Sequence, residues 1–108
     1  MPAEVKICGL STPETVDAAV AAGADLVGFV FFPKSPRNVS LDQAAALAAR
    51  ARGKAKIVTL VVDADDALLS AITTTVAPDL IQAHGSETPD RIREIARLTG
   101  RPVIKGLT

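Results

Sequence analysis

VKICG, residues 5–9, reads as a short β-strand carrying two residues out of keeping with a buried strand. In a parallel sheet covered by helices on both sides, strands are almost uniformly apolar. Lys6 and Cys8 break that rule, and being two apart they share one face. DLIQAH, residues 79–84, repeats the pattern with Gln82 and His84, and Lys105 interrupts PVIKG at 102–106. The alternate positions Val5, Ile7 and Ile81 stay apolar. One face of the sheet is therefore greasy, and the other carries Lys, Cys, Gln and His toward the carboxyl ends of the strands. That is the expected interior of a (β/α) barrel, whose βα loops gather polar groups at one mouth.

The rest of the chain supplies the alternation such a barrel needs. Further strands are expected over 25–31 and 56–62, with helices near 13–22, 41–52, 65–76 and 89–98. Ser11-Thr12-Pro13-Glu14 offers both a capping box and a proline in the first turn, two readings whose N-caps differ by one residue. Ser40 with Gln43 reads as a second capping box, and Thr88-Pro89-Asp90 opens the fourth helix. Gly53 and Gly100 stand where helices end. Asp63, closing LVVD, reads as the N-cap of the third helix, and Asp65-Asp66 suit the positive end of its dipole. Strands alternating with helices predict a parallel sheet, and right-handed crossovers put successive helices on one side. Gly-Ala-Asp-Leu-Val at 23–27 echoes Ala-Pro-Asp-Leu-Ile at 77–81, a match short enough that chance accounts for it as well as a repeat does.

Two α/β architectures fit five strands and four helices. A flavodoxin-like sheet needs helices on both faces and a fifth helix after strand five. A (β/α)8 barrel needs about 250 residues, so 108 residues make about its first half, β1–α1 to β5. The polar strand residues favour the half-barrel, a single partial domain over residues 1–108 with no separate linker.

Composition narrows the function. Although 48% of residues are hydrophobic, no apolar run reaches the ~18 residues of a membrane span. Twelve basic residues balance twelve acidic ones, and only three residues are aromatic, Phe29, Phe31 and Phe32, so neither a nucleic-acid nor a membrane partner is expected. One cysteine forms no internal disulfide, and a strand beginning at Val5 leaves no room for a cleavable signal, so a cytoplasmic protein is expected. No glycine-rich nucleotide loop or HExxH motif is present, one His with one Cys is too few for a structural zinc site, and no cofactor is expected. Each candidate residue has a plainer reading: Cys8 as an inert core thiol, His84 as a turn residue before Gly85, Arg37 as a solvated loop cation. Their joint position at strand ends argues for a site.

KICGL at 6–10, GADLVGFVFFPKSPRNVS at 23–40, LVVD at 60–63 and the QAHG…E…P run from Gln82 resemble the phosphoribosylanthranilate isomerase family of tryptophan biosynthesis. The likeness runs in order through essentially the whole chain, with Ala83 where the family usually has leucine. It implies an Amadori rearrangement of N-(5-phosphoribosyl)anthranilate to 1-(o-carboxyphenylamino)-1-deoxyribulose 5-phosphate. By that likeness Cys8 is the general base, Arg37 grips the anthranilate carboxylate, and Gln82 and His84 line the aromatic side. PKSPR becomes a proline-stiffened loop that holds Arg37 at the mouth, and the phenylalanines pack strand two with one facing the ring. No position matches the family's aspartate acid or its phosphate loops, so the 108 residues alone are expected to turn substrate over weakly or not at all. The competing reading is a small-molecule binding module without turnover. Exposed edges and an open inner face predict either a homo-oligomer or pairing with a C-terminal half-barrel.

Overall fold

Each helix begins where a hydroxyl or carboxylate accepts from the free N–H of its third residue. A computed structural model describes residues 5–106. Thr12 caps α1 (Pro13–Ala21): its Oγ1 accepts from Thr15 N at 3.2 Å, with Pro13 as the first helical residue. Of the two readings of this segment, the proline one holds, and Thr15 rather than Glu14 completes the box. Ser40 caps α2 (Leu41–Ala51) through Gln43 N at 3.1 Å. The Gln43 side chain does not return to close a box there; it donates to Ser11 O at 2.9 Å and ties α2 to the loop before α1. Asp65, not Asp63, caps α3 (Asp66–Thr75), accepting from Leu68 N at 2.8 Å. Thr88 caps α4 (Pro89–Thr99), which stops at the left-handed Gly100.

The strands are β1 (Lys6–Ile7), β2 (Leu26–Phe31), β3 (Lys56–Val61), β4 (Leu80–Ala83) and β5 (Val103–Lys105). All pair in parallel in the order β1-β2-β3-β4-β5, so spatial order equals chain order. A flavodoxin-like sheet would have to place strands on both sides of the first; this one never reverses. The helices follow suit, α1 touching α2, α2 touching α3 and α3 touching α4 along one side.

Register separates the two faces. Val27 with Ile57, Phe29 with Thr59 and Ile81, and Phe31 with Val61 and Ala83 form rows under the helices. Of these, all but Phe31 are fully buried, and Phe31 nearly so. Val16 and Ala19, Leu47 and Ala48, Leu69 and Ile72, and Ile95 meet them from the helices. Burying an apolar side chain of this size contributes roughly 1.5–3 kcal/mol. The opposite, concave face carries Lys6, Cys8, Gln82 and His84, as the alternation in VKICG and DLIQAH predicts. Lys105 departs from that expectation. Its register partner is Ala83, so it lies on the helix side, and Ile104 beside Gln82 takes the concave face.

The echo between 23–27 and 77–81 has a geometric counterpart. Asp25 Oδ2 accepts from Val5 N and Asp79 Oδ2 from Ile57 N, each at 2.7 Å. Each aspartate N–H also donates 2.8 Å to the same residue's carbonyl. Both carboxylates thus clamp the preceding strand where the next one begins, and the short match marks a repeated βα device.

Candidate active site

Cys8 directly follows β1 on the concave face, and the neighbouring backbone is shaped for its sulfur. A Cβ at Gly28 would sit 2.9 Å from Cys8 Sγ and 3.3 Å from its Cα, so only glycine lets β2 pass this close. Gly9 then turns the chain with φ +79, and its N–H donates to Gly28 O at 3.0 Å. The space a Gly9 side chain would fill is taken by Arg37: a Cβ there would lie 2.6 Å from Arg37 Cδ. The left-handed backbone demands glycine, and any side chain there would push Arg37 aside.

The loop that delivers Arg37 is tied at several points. Ser35 N donates to Phe32 O at 2.9 Å, Asn38 N to Ser35 O at 3.2 Å, and Val39 N returns to Val30 O at 3.0 Å. Ser35 Oγ accepts from Arg37 N at 3.1 Å. Pro33 and Pro36 fix φ at two further positions. The loop thus folds back on the end of β2 and holds Arg37 over β1. Among the described residues no carboxylate forms an ion pair with this guanidinium.

His84 reaches the cleft from the end of β4, its N–H donating to Val61 O at 2.8 Å. Its Nδ1 is buried and has no hydrogen-bond partner among the described residues. Cys8, Gly9, Arg37 and His84 line one cleft of about 400 Å³, with Phe32, Ser35 and the aliphatic side chains of Val30, Leu60 and Val62. Phe29 and Phe31 are buried under the helices, so Phe32 is the ring at the cleft. Gln82 does not line this cleft; its Oε1 accepts from Lys6 Nζ lower on the concave face. The arrangement joins a thiol, a cation, an imidazole and an apolar wall, suited to a flat anionic ligand. Among the described residues no group of three or more His, Cys, Asp or Glu is placed to hold a metal.

A second polar cluster frames the mouth, and the sequence reading missed its centre. Glu87 is buried, its side chain 2% exposed, and accepts from Asp63 N and Gly85 N at 2.8 Å and from Lys105 Nζ at 2.9 Å. Asp63, left-handed at φ 48, returns the link by accepting from Ser86 N at 2.8 Å. It therefore belongs to a loop-to-loop knot, not to the cap of α3. Burial pushes the Glu87 carboxyl up, but the Lys105 ammonium and the backbone N–H donors outweigh it and hold the group below the usual glutamate range. The knot joins the ends of β3, β4 and β5 beside His84. The available signal was Glu87 itself, the glutamate of the QAHG…E…P run, to which the sequence attaches no role.

Parallel βα units in chain order, with reactive side chains gathered at the carboxyl ends of the strands, define about half of a (β/α)8 barrel. The family model for N-(5'phosphoribosyl)anthranilate (PRA) isomerase matches residues 5–108, and the chain belongs to that family. The N-(5'-phosphoribosyl)anthranilate isomerase of Rhizobium meliloti (strain 1021) is 59% identical over 107 residues, spanning 99% of this chain and 50% of that protein. The crystal structure of phosphoribosyl anthranilate isomerase from Thermotoga maritima matches with a TM-score of 0.89 at 33% identity, covering 96% of this chain and 50% of that one. A crystal structure of the isomerase in complex with reduced 1-(o-carboxyphenylamino)-1-deoxyribulose 5-phosphate matches with a TM-score of 0.89 at 33% identity, covering 96% and 53%. The chain spans about half the length of the relatives it matches. Among the described residues no helix is long and apolar enough to cross a membrane.

Proposed function

We propose that this chain supplies the general base and the anthranilate side of a phosphoribosylanthranilate isomerase site, acting in the cytoplasm. The observation that carries this reading is the cleft itself, where Cys8, Arg37, His84 and Phe32 meet. The ligand of the related crystal structure joins a carboxyphenyl ring to a sugar phosphate. An aromatic carboxylate of that kind suits a cleft with one cation and an apolar wall.

In the reaction the ribose ring of N-(5-phosphoribosyl)anthranilate opens as a general acid protonates its oxygen. Cys8, as thiolate, then takes the proton from the sugar carbon beside the imine. The electrons left behind form the enol, which becomes the ketone of 1-(o-carboxyphenylamino)-1-deoxyribulose 5-phosphate when a proton returns to carbon. Arg37 holds the carboxylate through its planar fork of donors, Phe32 faces the ring, and His84 and Gln82 border the aromatic side. The acid and the phosphate grip come from outside these 108 residues, so residues 1–108 form one partial barrel domain that is weak or inactive alone. A missing acid costs about 10²–10⁴ in rate. The open concave face and the β1 and β5 edges are covered by a C-terminal half-barrel or a second copy of the chain.

The test follows loss of substrate fluorescence with the purified chain, alone and mixed with a separately produced C-terminal half of a related barrel. Weak or no turnover alone, recovery on mixing and loss with Cys8→Ala are expected. Turnover that survives Cys8→Ala removes the thiol from the mechanism. Product-analogue binding that never becomes turnover assigns the chain as a binding module instead.

A further inference from the structure

Lys6 and Gln82 lie 76 positions apart in sequence, on strands separated by β2 and β3. The Lys6 ammonium nevertheless donates to Gln82 Oε1 across the concave face. An ammonium has three donors and no acceptor, whereas a primary amide has an acceptor oxygen at one corner and a donor NH2 at the other. Only one amide orientation satisfies this contact, with oxygen toward Lys6 and nitrogen away from it. Gly106, after β5, marks where the nitrogen goes: a Cβ there would lie 3.0 Å from Gln82 Nε2 and closer still to His84 Nδ1. The NH2 therefore faces the carboxyl ends of the strands, beside the His84 ring. Among the described residues no acceptor takes a hydrogen bond from it.

We propose that Lys6 is a positioning residue that holds the Gln82 amide with its NH2 toward the mouth, so that the site presents a donor there. The inference rests on the reading of this face as the substrate side of the site, and it assigns Lys6 a task other than acting on Cys8. A ligand that joins a carboxylate to a sugar phosphate is rich in acceptor oxygens. A donor at Gln82 attracts such an oxygen, and the reversed amide would set two acceptors against each other. Lysine suits the task because an ammonium has no second hydrogen-bonding mode, whereas a serine or glutamine at position 6 would accept as readily as donate. Its side chain is also long enough to cross two intervening strands only because the sheet curves, so the contact reports the curvature of the arc as well.

The test is NMR on the purified chain and needs neither substrate nor turnover. In the parent chain, Gln82 Nε2 protons are expected to show cross-relaxation to the Gly106 Hα protons. Lys6→Met should weaken that signal about twofold, the value for two equally populated amide orientations. Lys6→Arg, another donor-only cation, should restore it. A signal unchanged in Lys6→Met overturns the proposal. The reciprocal variant, Gln82→Met, should shift the Lys6 ammonium 15N resonance, and an unmoved resonance likewise overturns it; this second reading stands even if Lys6→Met fails to fold. A chain that keeps these couplings but gains no turnover when mixed with a C-terminal half-barrel refutes the isomerase reading and leaves the positioning role intact. Absent couplings in a chain that does gain turnover on mixing do the reverse.

Discussion

Lys6 in β1 and Lys105 in β5 look alike as sequence, each a cation interrupting an apolar strand near an edge of the sheet, and each contacts a group contributed by β4 or the loop after it. Lys6 crosses the concave face to an exposed amide. Lys105 lies on the helix side and pairs with Glu87, a carboxylate almost fully out of water. The difference is the environment of the acceptor. An amide near solvent gains orientation from a cation and little stability, since exposed polar contacts are nearly balanced by hydration. A buried carboxylate without its donors is a serious cost. A charged residue within a strand therefore identifies a site only after its face is known.

Substitutions on the two sides measure that difference. Glu87→Ala should have the largest effect, because it strips the acceptor from two backbone N–H groups as well as from Lys105. A loss of about 2–5 kcal/mol is expected from urea unfolding monitored by circular dichroism. The acid limb of stability comes next. Because the folded Glu87 carboxyl is held below its ordinary value, its stabilisation is full above about pH 4.3 and is lost as pH falls through the depressed folded value. Glu87→Gln should flatten the stability curve over that range, and an unchanged acid limb would mean the knot does not hold the charge. Lys105→Met leaves the backbone donors on Glu87 and should cost about 1 kcal/mol. Lys6→Met should stay within about 0.5 kcal/mol of the parent chain. Equal costs for the two lysine variants would erase the contrast between them.

Most of the fold could be read because its signals are local. Hydroxyls before prolines or helical runs locate three of the four N-caps, and β-branched runs locate the strands to within two or three residues. What failed depends on distance. The face of Lys105 follows from pairing with Ala83, which PVIKG alone does not specify. Asp63 and Asp65 both precede α3 as plausible caps, and the knot with Ser86 and Glu87, 23 and 24 positions away, decides between them. Gln43 matched a capping box locally, yet its side chain was claimed by Ser11. Cys8, His84 and Gln82 were visible by alternation, and the first two share the cleft. Arg37 emerged through its motif, while the reason it arrives there, a side chain laid across Gly9, is a contact between segments 28 residues apart. Asp25 and Asp79 sit in a match of five letters, which is weak evidence as sequence; matching strand clamps are stronger.

Strand order that repeats chain order has a consequence for how the molecule is made. A chain emerging from the ribosome lays down β1, then β2 against it, and each later strand finds the edge it needs already synthesised. No strand among those described waits for a partner encoded downstream of its next neighbour, which keeps loop-closure costs small at every addition. The bond between Lys6 and Gln82 is the exception, spanning 76 positions. It closes only after the fourth strand has been translated and the sheet has bent, so the amide is oriented late, on an assembly line whose earlier stations are already finished.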